Sequence, residues 1–169
     1  KLNYIYNVSY QVLSMITPLI TTPYVSRVLG ADGIGDYSFT ASVVTYFSMV
    51  AVLGTLTYGN REISYLQDDR AARSTLFWEI ELLSFLSTGI CTAAYLIFLL
   101  FCDRSRFSLY AIQTISIVCV AFDIAWLLQG MEEFGKVMFR NMLFKVINIV
   151  FIFTAVRDKD DLFLYVAGM

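Results

Sequence analysis

The feature that most constrains this chain is a series of apolar runs, each long enough to cross a membrane, separated by short polar turns. A membrane-spanning helix needs about 20 residues, since each residue adds 1.5 Å along the axis. The runs predict helices at approximately 2–29, 37–58, 74–101, 107–130 and 137–156, with 162–169 as the start of another. The sequence therefore predicts an all-α fold, a polytopic membrane helix bundle of about five transmembrane helices plus the start of a sixth.

The composition supports a membrane protein over a soluble one. Hydrophobic residues make up 58% of the chain and charged residues 15%, whereas soluble domains have about 45–50% apolar and about 25% charged residues. The formal net charge of -2 comes without a basic or acidic tail, so nucleic acid is not an expected partner. The chain begins with Lys1 and stops within an apolar run, and we expect it to be a fragment of a longer protein.

The sequence offers no candidate for catalysis, a cofactor or a metal. Histidine is absent, which removes the commonest general base and metal ligand. The three cysteines, Cys91, Cys102 and Cys119, lie in apolar surroundings typical of buried thiols. No glycine-rich phosphate loop follows a strand pattern. We expect a protein that is not an enzyme and that has no cofactor.

The stretch from Pro18 to Gly35 closes the first apolar run and contains both prolines of the chain. Proline removes a backbone donor, so Pro18 and Pro23 predict a kink or break in the first helix. Arg27 follows where hydrocarbon should give way to water. The glycines and aspartates after it predict a turn before the second helix.

Four of the predicted helices carry a polar face. The faces comprise Asn3, Asn7, Gln11, Ser14, Pro18 and Thr21 in the first; Ser38, Ser42 and Thr45 in the second; Gln113, Ser116, Cys119, Asp123, Trp126 and Gly130 in the fourth; and Asn141, Lys145 and Asn148 in the fifth. Polar groups in lipid face other helices or a wet cavity, because an unpaired polar group is costly in hydrocarbon. Cavity lining and helix packing both remain open.

The third predicted helix contributes less to this pattern. Ser74 is a candidate cap, and Glu79 and Glu81 lie in the first two turns, where the helix dipole favours acids. An interfacial position is expected for both acids. From Leu82 onward the run is almost entirely apolar.

If the polar faces converge, they would enclose a hydrated cavity within the membrane. Arg27 and Lys145, with Arg140, would give that cavity a positive potential suited to an anionic substrate such as a diphosphate. Asp123 would pair with one of these cations or carry a proton.

Several motifs, in order, resemble those of bacterial polysaccharide flippases. They are Asn7-x-x-Tyr10-Gln11, Pro18 to Gly30, Gly33 to Ser38, Tyr58-Gly-Asn-Arg-Glu62, Phe77-Trp-Glu79, Phe122 to Trp126, Gln129 to Glu132, and Arg140-Asn141 with Lys145. The chain is thereby similar to the O-antigen and capsule repeat-unit translocases of the multidrug/oligosaccharidyl-lipid/polysaccharide exporter superfamily. It departs from the pattern at Ala125, where a polar residue, often asparagine, is expected.

The resemblance implies two lobes of about six helices around a central cavity, with residues 1–169 forming most of the first lobe. It implies translocation of an undecaprenyl-diphosphate-linked oligosaccharide across the bacterial cytoplasmic membrane by alternating access, driven by an ion gradient. The expected partners are membrane lipid, the missing C-terminal lobe and polysaccharide polymerase machinery. The candidate cavity residues are Asn7, Gln11, Arg27, Asp123, Trp126, Arg140, Asn141 and Lys145.

Two other functions remain open. One is an ion-coupled drug or cation antiporter of the same superfamily, which would favour acidic cavity residues. The other is a non-transporting membrane assembly subunit, whose polar faces would serve helix packing. Water-accessible labelling at Asn7, Gln11 and Asp123 would indicate a cavity.

Overall fold

A computed structural model describes the backbone of residues 2–169 and the side chains of residues 8–159 and 161–169. The elements are α1 (Leu2–Val52), α2 (Thr55–Tyr65), α3 (Arg70–Phe101), α4 (Phe107–Val120), α5 (Ala125–Gly130), α6 (Phe134–Ala155), a 3₁₀ turn (Lys159–Asp161) and α7 (Leu162–Gly168). Residues 2–169 contain no strand. The predicted all-α class is confirmed.

Within the described residues, four helical stretches are long and apolar enough to cross a membrane: Val8–Tyr65, Arg70–Phe101, Phe107–Gly130 and Phe134–Ala155. The first has 58 residues, over twice the length that one crossing needs. It covers the first two predicted helices from residue 8 onward. The surface is apolar in keeping with this, since side chains such as Leu19 and Leu100 are 73% and 79% exposed. A multi-pass membrane bundle accounts for both observations.

The first break in the chain falls at Gly30 and not at the prolines. The backbone of α1 stays helical through Pro18 and Pro23, and its non-helical residue is Gly30, with φ 75° and ψ 176°. That region of backbone space is open essentially to glycine alone. One residue suffices for the break, so the turn expected across the following glycines and aspartates is helical instead.

The second predicted helix ends earlier than expected. α1 stops at Val52, and Leu53 and Gly54 both have positive φ, 46° and 74°. The chain then forms α2, so much of the connector expected after Gly59 is an amphipathic helix. Its surface carries an ion pair between Arg61 and Glu62, at 2.7 Å.

The start of α3 is set by Asp69 and not by Ser74. The Asp69 carboxylate accepts hydrogen bonds from the N–H groups of Ala71 and Ala72, both at 3.0 Å. This satisfies two of the four donors that a helix leaves unpaired at its N-terminus. Ser74 lies inside the helix, one turn later.

The fourth predicted helix is divided in two. α4 ends at Val120 and α5 begins at Ala125. Between them, Asp123 Oδ1 accepts a hydrogen bond from the Ala125 N–H at 3.0 Å. An aspartate that binds nearby backbone in this way competes with the helical hydrogen bonds, which explains why an apolar run reading as one helix is interrupted here.

The chain forms two compact units. The first comprises the chain up to Ala41 together with Phe134–Met169, and the second comprises Ser42–Glu133. In the first unit, Val25 and Leu29 of α1 pack against Ile152 of α6 and against Val156, which directly follows α6.

The second unit has two buried clusters. One contains Val44, Tyr95, Leu99, Tyr110 and Ile117, and joins the end of α1 to the α3–α4 hairpin. The other contains Ile63, Ile80 and Trp126, and joins α2, α3 and α5.

Candidate functional site

Lys145 is the predicted site residue with the best-defined surroundings. It lies on α6, is half-buried, and its Nζ donates a hydrogen bond to Ser14 Oγ of α1 at 2.5 Å. The same Nζ lies 4.9 Å from the centre of the Tyr10 ring, within the range of a cation–π interaction. The polar face of α6 and the polar face of α1 therefore meet at this point.

Arg140 and Asn141 lie about one turn before Lys145. Arg140 Nε donates a hydrogen bond to Asn141 Oδ1 at 3.3 Å, and both side chains are half-buried. Asn141 precedes Lys145 by one i, i+4 step, so the two side chains share a face of α6. Asn141 and Lys145 give this face a cationic and hydrogen-bonding character, and Arg140 lies beside it through its contact with Asn141.

Near α7, the polar face of α6 serves helix packing. Asn148 Nδ2 donates a hydrogen bond to the backbone oxygen of Gly168 at 2.5 Å. This amide ties α7 to α6 and so serves helix packing. The face that the sequence indicates is thus divided between packing at Asn148 and a polar cluster around Lys145.

Arg27 is separated from this cluster. The two helices run in the same direction, because Ser14 contacts Lys145 and, further along both, Tyr24 donates to the Val156 carbonyl at 2.8 Å. Arg27 lies thirteen residues beyond Ser14 on α1, which is about 20 Å along the axis at 1.5 Å per residue. Its side chain is exposed. The structure therefore does not bring Arg27 and Lys145 into one cationic site.

Gln11 lies on α1 next to Tyr10 in sequence and is exposed. Asn7 and Asn3, the earlier members of the same face, lie outside the described side chains. The cluster in the first unit is therefore defined by Tyr10, Ser14, Arg140, Asn141 and Lys145.

Trp126 occupies a core of the second unit, in contrast to the cavity position predicted for it. Its side chain is 3% exposed and stacks on Phe77, with ring centres 5.9 Å apart. Its other neighbour is Gly59, where an added Cβ would lie 2.5 Å from a Trp126 ring carbon. A ring enclosed in this way packs helices together.

The motifs Tyr58–Glu62 and Gln129–Glu132 lie against one another. Gln67 Nε2 donates to the Gly130 carbonyl at 2.9 Å, and Asn60 Nδ2 approaches Gln129 Oε1 at 3.5 Å. A Cβ added at Gly130 would lie 2.8 Å from the backbone oxygen of Asn60. These residues allow α2 and α5 to pack closely. Asp123, just before α5, is half-buried in the turn described above.

Glu81 differs in burial from Glu79, although an interfacial position is expected for both. It is only 6% exposed, whereas Glu79 on the same helix is exposed. Glu81 belongs to a buried polar face of α3 that also includes Ser84, Ser87 and Thr88. Gln113, on α4, is buried as well. The spacing of Glu81, Ser84 and Thr88 at i, i+3 and i+7 was visible in the sequence and would have revealed this face.

Two hydroxyls on this face are satisfied by neighbouring helices. Ser87 Oγ donates to the Ala51 carbonyl at 2.7 Å, and Tyr95 Oη donates to the Tyr110 carbonyl at 3.0 Å. Within the described part of the chain, Thr88 Oγ1 and Thr92 Oγ1 are buried and have no hydrogen-bond partner. The polar face of α3 therefore combines packing contacts with unsatisfied groups.

Two carboxylates outside the membrane-length stretches are held in turns. The hydrogen bonds that Asp103 accepts from the backbone and hydroxyl of Ser105 lower the pKa of that carboxyl. The backbone N–H groups of Arg157 and Asp158 lower the pKa of Asp161 in the same way. Both arrangements fix a turn between helices.

A family described as "Polysaccharide biosynthesis protein" matches residues 2–169. The chain is 23% identical over 146 residues to a protein of Shigella dysenteriae named "Putative O-antigen transporter", covering 86% of this chain and 37% of that protein. It is 22% identical over 163 residues to an Escherichia coli (strain K12) protein of the same name, covering 95% of this chain and 39% of that protein. The chain thus spans about two fifths of the length of these curated relatives. No solved structure matches it significantly.

Proposed function

Because the chain belongs to the polysaccharide biosynthesis protein family, we propose that it takes part in moving lipid-linked oligosaccharide repeat units across the bacterial cytoplasmic membrane. The names of the two relatives support transport of an O-antigen precursor. The cargo would be an oligosaccharide on undecaprenyl diphosphate, moved by alternating access. Chain length is consistent with a contribution to one lobe of a larger transporter.

The observation that carries this proposal is the environment of Lys145. A lysine within a membrane-length helix is costly and is generally retained for a function or a partner. Here no carboxylate is recorded as its ion-pair partner within the described residues; its contacts are the Ser14 hydroxyl and the Tyr10 ring. Such a cation keeps its charge available for an anionic ligand.

The chemistry of the cluster fits a diphosphate. A lysine ammonium acts as a compact positive charge, while an arginine can hold two phosphate oxygens at once. Asn141 can donate hydrogen bonds from its amide to further phosphate or sugar oxygens. Lys145 would take the phosphate charge, and Arg140 and Asn141 would orient the group one turn away.

The test is replacement of Lys145 in the complete protein, with surface polysaccharide as the readout in cells that lack their own copy of the gene. A hydrogen bond to a charged group is worth about 1.5–3 kcal/mol, so Lys145→Ala should reduce export by roughly tenfold or more. Lys145→Arg should retain part of it. Full export by Lys145→Ala, at normal membrane levels, would remove this cluster from the mechanism.

Two matched controls accompany this test. Lys159→Ala removes an exposed lysine from the turn before α7 and should leave export unchanged. Arg27→Ala probes the second cation predicted from sequence. Since Arg27 is about 20 Å from the cluster along α1, its effect and that of Lys145→Ala should add independently.

A membrane assembly subunit is the second candidate. Trp126 and Asn148 favour it, because both lie on predicted cavity faces and both serve packing. In that case, the cluster around Lys145 would hold α1 and α6 together without contacting cargo. Water accessibility, discussed below, distinguishes the two functions.

A further inference from the structure

We propose that α2 and the start of α3 form a surface that binds the phospholipid headgroup layer at one membrane–water boundary. This headgroup surface consists of the exposed residues of α2 and the exposed tryptophan of α3: Thr57, Tyr58, Arg61, Ser64, Tyr65 and Trp78. All of them belong to the second unit. The surface is independent of the cargo, so it is the same for a transporter and for an assembly subunit.

The exposed face of α3 changes from polar to apolar along the helix. Ser74 and Glu79 are exposed near its start, whereas the exposed residues from Leu82 onward are apolar, with Leu82, Leu86 and Phe101 at 71%, 63% and 85% exposure. From Leu82 to Phe101 the helix has about 20 residues and is about 30 Å long, which equals the thickness of the hydrocarbon core. One membrane boundary is therefore expected next to Leu82.

The end of α1 has a break near the same level. Ser87 Oγ of α3 donates to the Ala51 carbonyl at 2.7 Å, and the rings of Phe47 and Tyr95 contact each other with centres 5.1 Å apart. The two helices are therefore antiparallel. The backbone of α1 stops being helical just after Ala51, at Leu53. This break lies within about one turn of the start of the apolar face of α3.

The break between α4 and α5 lies near this level as well. Phe122 contacts Phe85 of α3, with ring centres 5.5 Å apart, and Trp126 of α5 stacks on Phe77 of α3 at 5.9 Å. Residues 121–124, which separate the two helices, are thus beside the part of α3 where its exposed face becomes apolar.

Both breaks are at the surface of the described residues, since Leu53 and Phe122 are 62% and 64% exposed. Non-helical backbone that faces lipid hydrocarbon does not occur in membrane proteins, because hydrocarbon offers no partner to the freed peptide groups. The breaks therefore belong at the edge of the hydrocarbon, where water and headgroups supply hydrogen bonds. They indicate the same boundary as the exposed face of α3.

α2 lies on the polar side of this boundary. Its buried face packs against the first turns of α3, where Ile63 and Ile80 share a cluster. On its opposite face, Tyr58 and Tyr65 are 50% and 76% exposed, and the Arg61 guanidinium lies 5.8 Å from the centre of the Tyr58 ring. This outer face therefore combines aromatic and polar side chains, in contrast to the apolar face of α3.

Aromatic side chains with a polar group suit the headgroup layer. Tyrosine and tryptophan concentrate at membrane interfaces because the ring is apolar, while the O–H or N–H group can donate to a headgroup oxygen. Trp78 is 65% exposed and lies about one turn before Leu82 on the same face of α3. It is the aromatic residue expected just outside the hydrocarbon.

The charges near this surface are balanced, so the proposed ligand is the neutral phospholipid headgroup. Arg61 is paired with Glu62 at 2.7 Å. The connector to α3 contains acids and arginines in equal number: Asp68, Asp69, Arg70 and Arg73. Binding should therefore come from the aromatic side chains, and phosphatidylcholine should be sufficient.

The first test measures the fluorescence of Trp78 in the complete protein, reconstituted in phosphatidylcholine liposomes. The Trp78 signal is the difference between the protein and its Trp78→Phe variant, so that Trp126 stays in the core. The liposomes contain phosphatidylcholine with a nitroxide quencher either on the headgroup or near the end of an acyl chain. We expect a larger loss of the Trp78 signal with the headgroup nitroxide.

Leu86→Trp, in the Trp78→Phe background, is the matched control. Leu86 is exposed on the same face of α3, about two turns further into the apolar stretch, and tryptophan there should be quenched more by the chain-end nitroxide. The headgroup surface is overturned if Trp78 loses as much signal, or more, with the chain-end nitroxide. It is also overturned if neither nitroxide quenches Trp78, which would mean that water or another protein segment covers this residue.

The second test examines α2 with spin labels on Tyr58→Cys and Tyr65→Cys, in the complete protein without its native cysteines. Electron paramagnetic resonance compares collisions of each label with oxygen, which concentrates in hydrocarbon, and with a nickel chelate, which stays in water. Both labels should respond to both reagents. Their behaviour should be intermediate between Leu86→Cys, where oxygen dominates, and the connector variant Asp68→Cys, where the nickel chelate dominates. Labels on α2 that match either control, or that neither reagent reaches, would contradict a position in the headgroup layer.

Discussion

Individual residues in this protein decide how closely its helices approach. The motif residues Gly59 and Gly130 are the clearest cases, because each faces a side chain or backbone group of a neighbouring helix at a distance that leaves no room for Cβ. Trp126 fills the space that Gly59 leaves. Trp126, a candidate cavity residue from the sequence, thus takes part in packing between helices.

Gly59→Ala should destabilise the protein. The new Cβ would lie 2.5 Å from a ring carbon of Trp126, and overpacking of this kind typically costs about 1–3 kcal/mol. The measurement is thermal unfolding of the purified protein in detergent, followed by tryptophan fluorescence.

Gly89→Ala is the matched control for this substitution. Gly89 lies within α3, and a Cβ there meets nothing within 4 Å. Alanine is favoured over glycine in a helix interior by roughly 0.5–1 kcal/mol, so this variant should be as stable as the wild type or more so. Equal melting temperatures for the two variants would contradict the close α2–α5 contact.

At the scale of elements, single residues divide long apolar runs. Gly30 divides α1 through its backbone conformation, and Asp123 separates α4 from α5 through a side-chain hydrogen bond. Proline inside a helix usually kinks or breaks it, yet the backbone of α1 remains helical at both of its prolines. The positions of these breaks determine which side chains of each run face a neighbour.

Gly30→Ala should strain the break in α1. Its φ of 75° and ψ of 176° lie in a region where a side chain costs on the order of 1–3 kcal/mol. We expect a lower melting temperature than for Gly35→Ala, a substitution in the same helix where a Cβ meets nothing within 4 Å. If both variants melt like the wild type, α1 does not break at Gly30.

At the scale of the whole molecule, the main constraint is the large apolar surface. Membrane-length helices with exposed leucine and phenylalanine side chains need lipid around them. Within that setting, polar side chains are either paired between helices or reached by water. Lys145, whose recorded contacts are the Ser14 hydroxyl and the Tyr10 ring, is the position where this distinction bears on the proposed function.

Water accessibility of cysteine variants separates a transporter from an assembly subunit. In a background with Cys91, Cys102 and Cys119 replaced, Gln11→Cys and Asp123→Cys should react with a membrane-impermeant maleimide if their faces line a cavity. Leu19→Cys, at an exposed apolar position on α1, should be protected by lipid. Protection of Gln11→Cys and Asp123→Cys to the same degree as Leu19→Cys would favour the assembly subunit.

The sequence by itself determined the all-α class and the membrane-length helices. The reason is that the thickness and the apolar character of the bilayer core set the length and the composition of every span. It also indicated the polar faces of α1, α4 and α6, since helical spacing is a local property. The contact between Ser14 and Lys145 agrees with that pattern.

Only the tertiary structure decided which member of each face has which role. Asn148 and Trp126 pack, Arg27 is far from Lys145, and Glu81 is buried beside an exposed Glu79. Periodicity places a residue on a side of its helix, but the neighbouring helix that covers that side comes from a distant part of the chain. For the same reason, the need for glycine at positions 59 and 130 follows only from the close approach of a neighbouring helix, as Gly59 and Gly130 show.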